Sequence, residues 1–374
     1  MVDISFPHIP SVPLALFIDL EALGHNYRTI CANLQKGTIC AAVLKANAYG
    51  MGVKEIAPRL YQEGCRHFFV VYLPEALEIK SYVGEDSSIY VLAGLRQGEE
   101  EIYDRYNITP VLGDMAQVQN WNNWGQKKNK SVRAILHLDT GMTRTGFSSE
   151  ALKILTLSDL SNIELICIMS HLACAYQPDH PMNENQRQIF DELRKRFPKI
   201  PASLSASGGL CFGPSYHYDI VRPGLALTGC RSAGDLGLKP VLKAYAQVIQ
   251  INHILPGTSV GYDTEFIAQR PSRIATLGSG YADGYFRTLG NRGEVYFKGQ
   301  FLPVVGRISM DHITVDVTDI DIHPGEWVEL FGDNIPAHVL AEKAGTVSWE
   351  LFTRLGQRFE RFYLSSKQQK QSVG

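Results

Sequence analysis

Apolar and polar positions alternate in long blocks along the first two thirds of the chain. Between residues 38 and 229, apolar runs rich in β-branched and aromatic residues are followed by stretches with helical periodicity, such as GVKEIAPRLYQEG and NENQRQIFDELRKRF. Eight strands that alternate with helices predict a parallel α/β fold, most economically a (β/α)8 TIM barrel, with an open doubly wound sheet as the alternative. The apolar runs lie near residues 39–45, 67–73, 88–93, 108–112, 132–139, 163–171, 202–207 and 219–227.

The pattern changes after about Lys239, where short apolar runs stand between turn signals. Segments such as AYAQVIQI, GEVYFKG and EWVELFG predict a mostly antiparallel β domain. We therefore expect an α/β barrel domain at 1–238 and a β domain at 239–374. A further strand, PLALFID at residues 13–19, precedes the eight runs and has no place in a closed barrel. The polar tail from about residue 365 is predicted to be disordered.

Composition and charge narrow the class of protein. With 374 residues, 45% of them hydrophobic, the chain is large enough for more than one core. A net charge of −2 and no basic stripe argue against nucleic acid or an anionic membrane as partner. No apolar stretch approaches the ~20 residues of a membrane span, and the N-terminus does not resemble a signal peptide. Seven cysteines without a CxxC pair predict buried thiols in a reducing cytoplasm and no metal site.

Candidate chemistry lies where the predicted strands end, because the carboxyl ends of barrel strands carry the active site. Lys45, Arg144, His171 and Arg222 all follow apolar runs, as does a Ser/Gly-rich turn at 205–209. A lysine in such a place can form a Schiff base, and backbone N–H groups around the glycines of that turn can hold a phosphate. The combination suits pyridoxal phosphate (PLP). Each feature alone is more often a solvated lysine, a structural histidine or a plain turn.

Six motifs together resemble the alanine racemase family, and they stand in the order and at the spacing of that family. They are VLKANAYGMG, LDTGMTRTG, SHLACA, VRPGLALTG, GSGYADGYFR and VGRISMDHITVDVT. The resemblance implies a PLP-dependent isomerase with an N-terminal barrel and a C-terminal β domain, which also takes in the strand at 13–19. It further implies a cytoplasmic homodimer with shared active sites and an amino-acid substrate. The product would be D-alanine for the peptidoglycan of a cell wall.

The same resemblance implies roles for individual residues. Lys45 would hold PLP covalently and act as one of two bases, and Tyr281 of the partner subunit would act as the other, because racemisation needs proton transfer on both faces of Cα. His171 would support this tyrosine, backed by Arg222, which would also face the pyridine nitrogen of PLP and leave it unprotonated. Arg144 would bind the phenolic oxygen of PLP and the substrate carboxylate.

The remaining candidates surround these groups. Four positions depart from the family pattern. His137 stands where many members have a carbamylated lysine that braces the arginine, and Trp349 stands where a tyrosine is usual near the phosphate. Thr143 replaces a usual glycine before the arginine, and Ala206 replaces a usual asparagine. The other candidates are Tyr49, Ser207 and Gly224 around the phosphate, Tyr363 as a cofactor contact without a motif behind it, Met310 and Asp311 at the substrate entrance, and Tyr262 near that entrance.

Three other functions stay open at this point. A broad-specificity amino-acid racemase on the same scaffold would use the same bases. A PLP decarboxylase of the same architecture would leave Tyr281 without its role in racemisation. A PLP-binding homeostasis protein is usually a single barrel, and the predicted β domain argues against it.

Overall fold

Residues 11–230 and 236–365 are described by the structure, which is a computed structural model. The chain divides into two units, Gly24–Leu238 and the combination of Met1–Leu23 with Lys239–Gly374. We call the first the barrel unit and the second the β unit. The tail expected to be disordered from about residue 365 lies, from residue 366 onward, outside the described residues.

The strands of the barrel unit coincide with the eight apolar runs of the sequence. Seven of them pair side by side in chain order, all parallel, from Ala42–Val43 to Ala202–Ser203. The first run is split at Ala41 into two short strands. The strands are Ile39–Cys40, Ala42–Val43, His67–Val70, Ser88–Val91, Ile108–Leu112, Val132–His137, Ile163–Met169, Ala202–Ser203 and Ile220–Val221.

Hydrogen bonds around Ile220–Val221 close this sheet into a barrel. On one side the strand pairs in parallel with Ile39–Cys40. On the other side, the Arg222 N–H donates to the Ser205 carbonyl at 2.9 Å and the Asp219 N–H donates to the Ala202 carbonyl at 3.0 Å. The predicted TIM barrel is therefore confirmed, and the open doubly wound alternative is wrong.

Side chains that alternate along the strands fill the barrel with one apolar cluster, as the period of two requires. Its members are Ala41, Val43, Phe69, Tyr90, Val111, Ile135, Cys167, Met169 and Ile220. Because this core fills the interior, chemistry is confined to the ends of the strands.

The helices of the barrel unit follow local signals in the sequence. Met115–Lys128, for example, begins after Asp114, whose carboxylate accepts the Gln117 N–H at 2.9 Å, and ends at Asn129 in the left-handed conformation. Leu20–Ala32 spans the boundary between the two units in the chain. The other α-helices are Lys45–Tyr49, Val53–Gln62, Leu73–Lys80, Glu100–Arg105, Ser149–Ile154, Pro181–Arg194 and Pro214–His217.

The β unit is mostly antiparallel, as predicted, and contains the surplus strand. Leu14–Asp19 pairs antiparallel with Leu242–Ile254 and parallel with Glu360–Leu364. Phe17 stacks on Phe362 and meets Tyr245 edge-on, so the three strands share one core. Its other strands and its α-helices are Ser259–Val260, Phe266–Ile267, Ser272–Leu277, Glu294–Phe297, Gln300–Pro303, Ile313–Asp316, Trp327–Phe331, Ala337–Ala344 and Ser348–Thr353.

Within 11–230 and 236–365, the helices are too short or too polar to cross a bilayer. No group of three or more His, Cys, Asp or Glu side chains is placed there to bind a metal ion. The seven cysteines form no disulfide in this part of the chain.

Candidate active site

Lys45 follows the strand Ala42–Val43 and begins a turn with an unusual backbone. The next four residues, Ala46 to Tyr49, all have positive φ angles between 52° and 56°, although none is glycine. The left-handed conformation costs an L-residue about 1–2 kcal/mol, so such a turn persists only when its surroundings fix it. The structure therefore holds the lysine on a strained segment at the carboxyl end of a barrel strand.

Two side chains fix this turn. Glu75 accepts the Ala46 N–H at 2.7 Å through Oε1, and Asn47 accepts the Val53 N–H at 2.7 Å through Oδ1. Glu75 was not among the residues predicted from the sequence. A signal for it existed, because it is the third residue of the helix Leu73–Lys80 and forms a capping box there.

The Lys45 amine is half-buried and electrostatically disfavoured as a cation. Burial is the largest cause that lowers the pKa of Lys45, and the Arg144 guanidinium lowers this pKa further. The Glu75 carboxylate acts in the opposite direction and raises it. Among the described residues, its Nζ forms no hydrogen bond and no ion pair. A lowered pKa increases the fraction of free amine, which is the form that attacks a carbonyl carbon.

Arg222 is buried, with 2% of its surface exposed, and its guanidinium is held on several sides. It donates to the Ser170 carbonyl at 2.6 Å, to the Leu204 carbonyl at 3.3 Å and to the Ser203 hydroxyl. Burial lowers its pKa to about 10, so it remains a cation at neutral pH. It also donates to His171 Nδ1 at 3.4 Å.

Both histidines near this guanidinium are neutral. Burial, followed by Arg222 and Arg144, lowers the pKa of His171 well below its ordinary value. The same causes lower the pKa of His137 to about 4, with Asp139 opposing them. Because His171 Nδ1 accepts a hydrogen bond from Arg222, its proton must lie on Nε2, which is then a donor.

The loop that carries Arg144 is organised by a single carboxylate oxygen. Asp139 Oδ1 accepts the N–H groups of Gly141, Met142 and Thr143 at 2.9, 2.9 and 3.1 Å. The Arg144 guanidinium itself is exposed, and it makes no hydrogen bond or ion pair within the described residues. His137 Nδ1 lies 3.3 Å from the hydroxyl of Thr145, the residue after Arg144. The arginine is therefore ready to bind an anionic ligand.

Gln186 is a second residue that the sequence did not reveal. Its buried amide donates to Thr140 Oγ1 at 3.1 Å and to the His171 carbonyl at 2.9 Å, and accepts the Ala173 N–H at 2.7 Å. It thus fixes the two loops that carry Arg144 and His171. Nothing in the sequence marks it, because its complete burial on the helix Pro181–Arg194 is seen only in the structure.

A small polar cradle surrounds Gly224. Ser207 Oγ accepts the N–H groups of Gly224 and Ala226, both at 3.0 Å. A Cβ added at Gly224 would lie 2.3 Å from the Tyr49 hydroxyl, so a side chain here would displace the Tyr49 ring. The Gly209 N–H, which the sequence suggested as a phosphate donor, instead donates to the Ala206 carbonyl at 3.1 Å. The hydroxyl groups of Ser207 and Tyr49, close to the Lys45 turn, fit the phosphate of a phosphorylated carbonyl compound such as PLP.

In the β unit, the motifs around Tyr281 and Met310 pack together. The Tyr281 N–H donates to the Ser309 carbonyl and the Ala282 N–H donates to the Met310 carbonyl, both at 3.0 Å. The side chains of Tyr281 and Met310 are 42% and 53% exposed, which leaves both available for contacts outside their own unit. The structure therefore presents the tyrosine and the methionine side by side.

A buried ion pair includes residues of the two motifs that contain Tyr281 and Met310. Asp283, 1% exposed, accepts the Gly280 N–H at 2.9 Å and two hydrogen bonds from Arg358 at 2.7 and 2.9 Å. The same arginine donates to Asp311 at 2.6 Å. Arg358 was not predicted, because nothing in its own segment indicates a partner 75 residues away.

The sequence-predicted residues thus fall into two groups. Eight lie in the barrel unit, at or after the carboxyl ends of strands: Lys45, Tyr49, His137, Arg144, His171, Ser207, Arg222 and Gly224. Six lie in the β unit: Tyr281, Met310 and Asp311 in the packed motifs, Tyr262 in an exposed 3₁₀ turn, Trp349 in the helix Ser348–Thr353 and Tyr363 in the last strand, where it pairs with Ile18.

The neutral state of His137 predicts how stability depends on pH. Its pKa is about 4 in the folded chain, against ~6.5 in an unfolded chain. As the pH falls below 6.5, the unfolded chain takes up this proton and the folded chain does not, so stability is lost toward pH 4. The group alone accounts for about 2 kcal/mol between pH 7 and pH 5. Urea unfolding of wild type and His137→Asn at both pH values measures it.

The variant is expected to lose less stability on acidification than wild type does. His253→Gln, at an exposed position of the β unit, is the matched control and should follow wild type. Equal losses in wild type and His137→Asn would show that His137 does not resist protonation.

Comparisons with known proteins agree with this arrangement. The family model for the alanine racemase N-terminal domain matches residues 18–232, and that for the C-terminal domain matches residues 241–363. The chain is 39% identical to "Alanine racemase, catabolic" of Agrobacterium fabrum over 356 residues, covering 93% of this chain and 92% of the relative. It is 39% identical to the alanine racemase of Rhodospirillum rubrum, covering 93% and 95%.

A solved structure is similar over nearly the whole chain. The alanine racemase of Bartonella henselae, described with covalently bound pyridoxal phosphate, superposes with a TM-score of 0.91 at 40% identity, covering 95% of this chain and 100% of that one. Two family models that together span both units, and relatives of this similarity, leave one assignment. The chain belongs to the alanine racemase family.

Proposed function

We propose that this chain interconverts L-alanine and D-alanine with PLP as cofactor, by a two-base mechanism. The observation that carries the proposal is the Lys45 amine, which has a lowered pKa and no partner among the described residues, and which stands at a strand end beside Arg144. The covalently bound PLP of the Bartonella henselae racemase supports an amine of this kind as the attachment point.

The barrel unit offers groups for each part of the cofactor. Lys45 would hold it covalently, Tyr49, Ser207 and Gly224 would surround its phosphate, and Arg222 would lie against its ring. When bound, PLP withdraws electron density from an amino acid joined to it and makes the Cα proton acidic. Arg222 remains charged at neutral pH, so it donates a hydrogen bond and does not supply a proton.

Lys45 would then act as a base on one face of Cα. A base works best when its pKa is close to the working pH, and burial and Arg144 both move the pKa of this amine downward. The Arg144 guanidinium would bind the substrate carboxylate, which fixes the side of Cα presented to the lysine.

Tyr281 of the partner subunit would serve the opposite face of Cα. A tyrosine side chain can accept a proton only when it is a phenolate, and hydrogen-bond donors stabilise the phenolate. His171 has Nε2–H as a donor because Nδ1 accepts from Arg222. The Arg222–His171 pair can therefore stabilise the phenolate without itself titrating near neutral pH. This role requires a homodimer with shared active sites.

The β unit would also limit the substrate. Met310 and Asp311, with Tyr262 near them, would line the entrance, Trp349 would lie near the phosphate, and Tyr363 is a further contact for the cofactor. An entrance with an aromatic side chain favours a substrate whose side chain is a methyl group. We place the enzyme in the cytoplasm, with D-alanine for peptidoglycan as its product.

Incubation with PLP and L-alanine in deuterated water tests the proposal. We expect D-alanine that carries deuterium at Cα, detected by separation of the enantiomers and mass spectrometry. L-Serine and L-lysine run in parallel, and turnover comparable to that of alanine would support the alternative of a broad-specificity amino-acid racemase. Release of carbon dioxide without D-alanine would replace the proposal by a decarboxylase.

A further inference from the structure

The turn after Lys45 requires an explanation for its stability. Four consecutive non-glycine residues, 46 to 49, adopt left-handed backbone angles. Because left-handed angles are unfavourable for L-residues, the segment would relax if nothing held its N–H groups. Relaxation would move the lysine, because Lys45 precedes this turn directly and only Leu44 separates it from the strand Ala42–Val43.

The Glu75 carboxylate connects the turn to the neighbouring strand. Its Oε1 accepts the Ala46 N–H at 2.7 Å, and its Oε2 accepts the N–H groups of Val71 and Tyr72 at 2.8 and 3.1 Å. Val71 and Tyr72 follow the strand His67–Val70, which pairs with Ala42–Val43. One side chain thus joins the ends of two adjacent strands at the mouth of the barrel.

We propose that Glu75 is the positioning residue for Lys45: it fixes the left-handed turn through the Ala46 N–H and so sets the place of the catalytic amine. The proposal rests on the proposed function and names a residue that acts only through Lys45. A carboxylate suits the task because two acceptor oxygens serve three donors. Glutamine offers a single acceptor oxygen, so the same three bonds cannot all be made.

Charge supports the same assignment. The charged groups that act on the pKa of Lys45 are the Arg144 guanidinium, which lowers it, and the Glu75 carboxylate, which raises it. Lys45 in turn lowers the pKa of the neutral His171. Glu75 is the carboxylate that opposes the lowering of the pKa of Lys45. Removing its charge should lower that pKa further, so that the amine loses its proton at a lower pH.

The test uses the full chain freed of PLP. Acylation of Lys45 by acetic anhydride is followed against pH by mass spectrometry of the peptide that carries it, in wild type, Glu75→Gln and Glu78→Gln. Glu78 lies on the same helix, one turn away, and is exposed. A second readout is the rate at which Lys45 of each protein reacts with added PLP. Borohydride reduces the Schiff base that forms, so that the product can be measured.

We expect Glu75→Gln to shift the acylation midpoint of Lys45 to lower pH and to slow capture about tenfold to a hundredfold, as a misplaced reacting group does. Glu78→Gln should match wild type in both. Equal or higher midpoints, or unchanged capture, in Glu75→Gln would overturn the positioning role while the proposed function stands. If wild type itself does not capture PLP at Lys45, the proposed function fails instead.

Hydrogen exchange of the wild-type chain keeps the test independent of how well the variant folds. The proposal requires the Ala46 N–H to be protected as strongly as the Leu44 N–H, which donates to the Phe69 carbonyl at 2.8 Å inside the barrel. Fast exchange at Ala46 beside slow exchange at Leu44 would show that Glu75 does not hold the turn.

Discussion

Replacing Lys45 by alanine is expected to abolish both the attachment of PLP and racemisation. The change removes the amine proposed to hold the cofactor and, with it, one of the two bases. Acid–base groups contribute about 10²- to 10⁴-fold each, and loss of the covalent anchor adds to this, so we expect activity to fall by at least about 10⁴-fold. Borohydride treatment with PLP, followed by intact mass measurement, detects the missing adduct directly.

The loss of the PLP adduct and of activity in Lys45→Ala can be distinguished from a loss of folding. Lys45 forms no ion pair within the described residues and is half-buried, so its truncation removes few stabilising contacts. Lys54→Ala, an exposed lysine on the helix Val53–Gln62, is the control and should keep both adduct and activity. An adduct that persists in Lys45→Ala would mean that another amine holds PLP.

The barrel could be predicted from the sequence because its signal is local. Each apolar run is long enough to be a buried strand, and eight such runs alternating with helices permit few parallel arrangements. The strand at 13–19 illustrates the limit of this reasoning. Its own pattern shows a buried strand, but its partners, Leu242–Ile254 and Glu360–Leu364, are more than 200 residues away. Only the family resemblance indicated where it belongs.

The residues of the candidate site also differ in how readily the sequence reveals them. Residues that stand in motifs at strand ends, such as Lys45 and Arg222, could be selected from the sequence. Gln186 and Arg358 could not, because each acts through hydrogen bonds to segments distant in the chain. The sequence marks Glu75 only as a helix cap, and its hydrogen bond to Ala46, 29 residues away, is seen only in the structure. The left-handed turn after Lys45 was equally hidden, since no glycine marks it. Sequence patterns therefore mark the candidate reacting groups more readily than the groups proposed to position them.

Replacing Tyr281 by phenylalanine is expected to leave PLP binding intact and to reduce racemisation about 10²- to 10⁴-fold. The change removes only the hydroxyl, and Tyr281 is 42% exposed, so the fold of the β unit should be preserved. With Lys45 still in place, one face of Cα can exchange its proton. In deuterated water the variant should therefore wash deuterium into one enantiomer of alanine much faster than it forms the other.

This asymmetry is the result that distinguishes a two-base mechanism from a one-base mechanism. A single base that served both faces would lose exchange and racemisation together, or neither, when Tyr281 is changed. Tyr296→Phe, on the strand Glu294–Phe297 of the same unit, controls for loss of a phenol hydroxyl and should racemise like wild type. Full racemisation by Tyr281→Phe would remove this tyrosine from the mechanism. It would also remove the reason to require a partner subunit, because no barrel residue would then depend on a second copy for its opposing base.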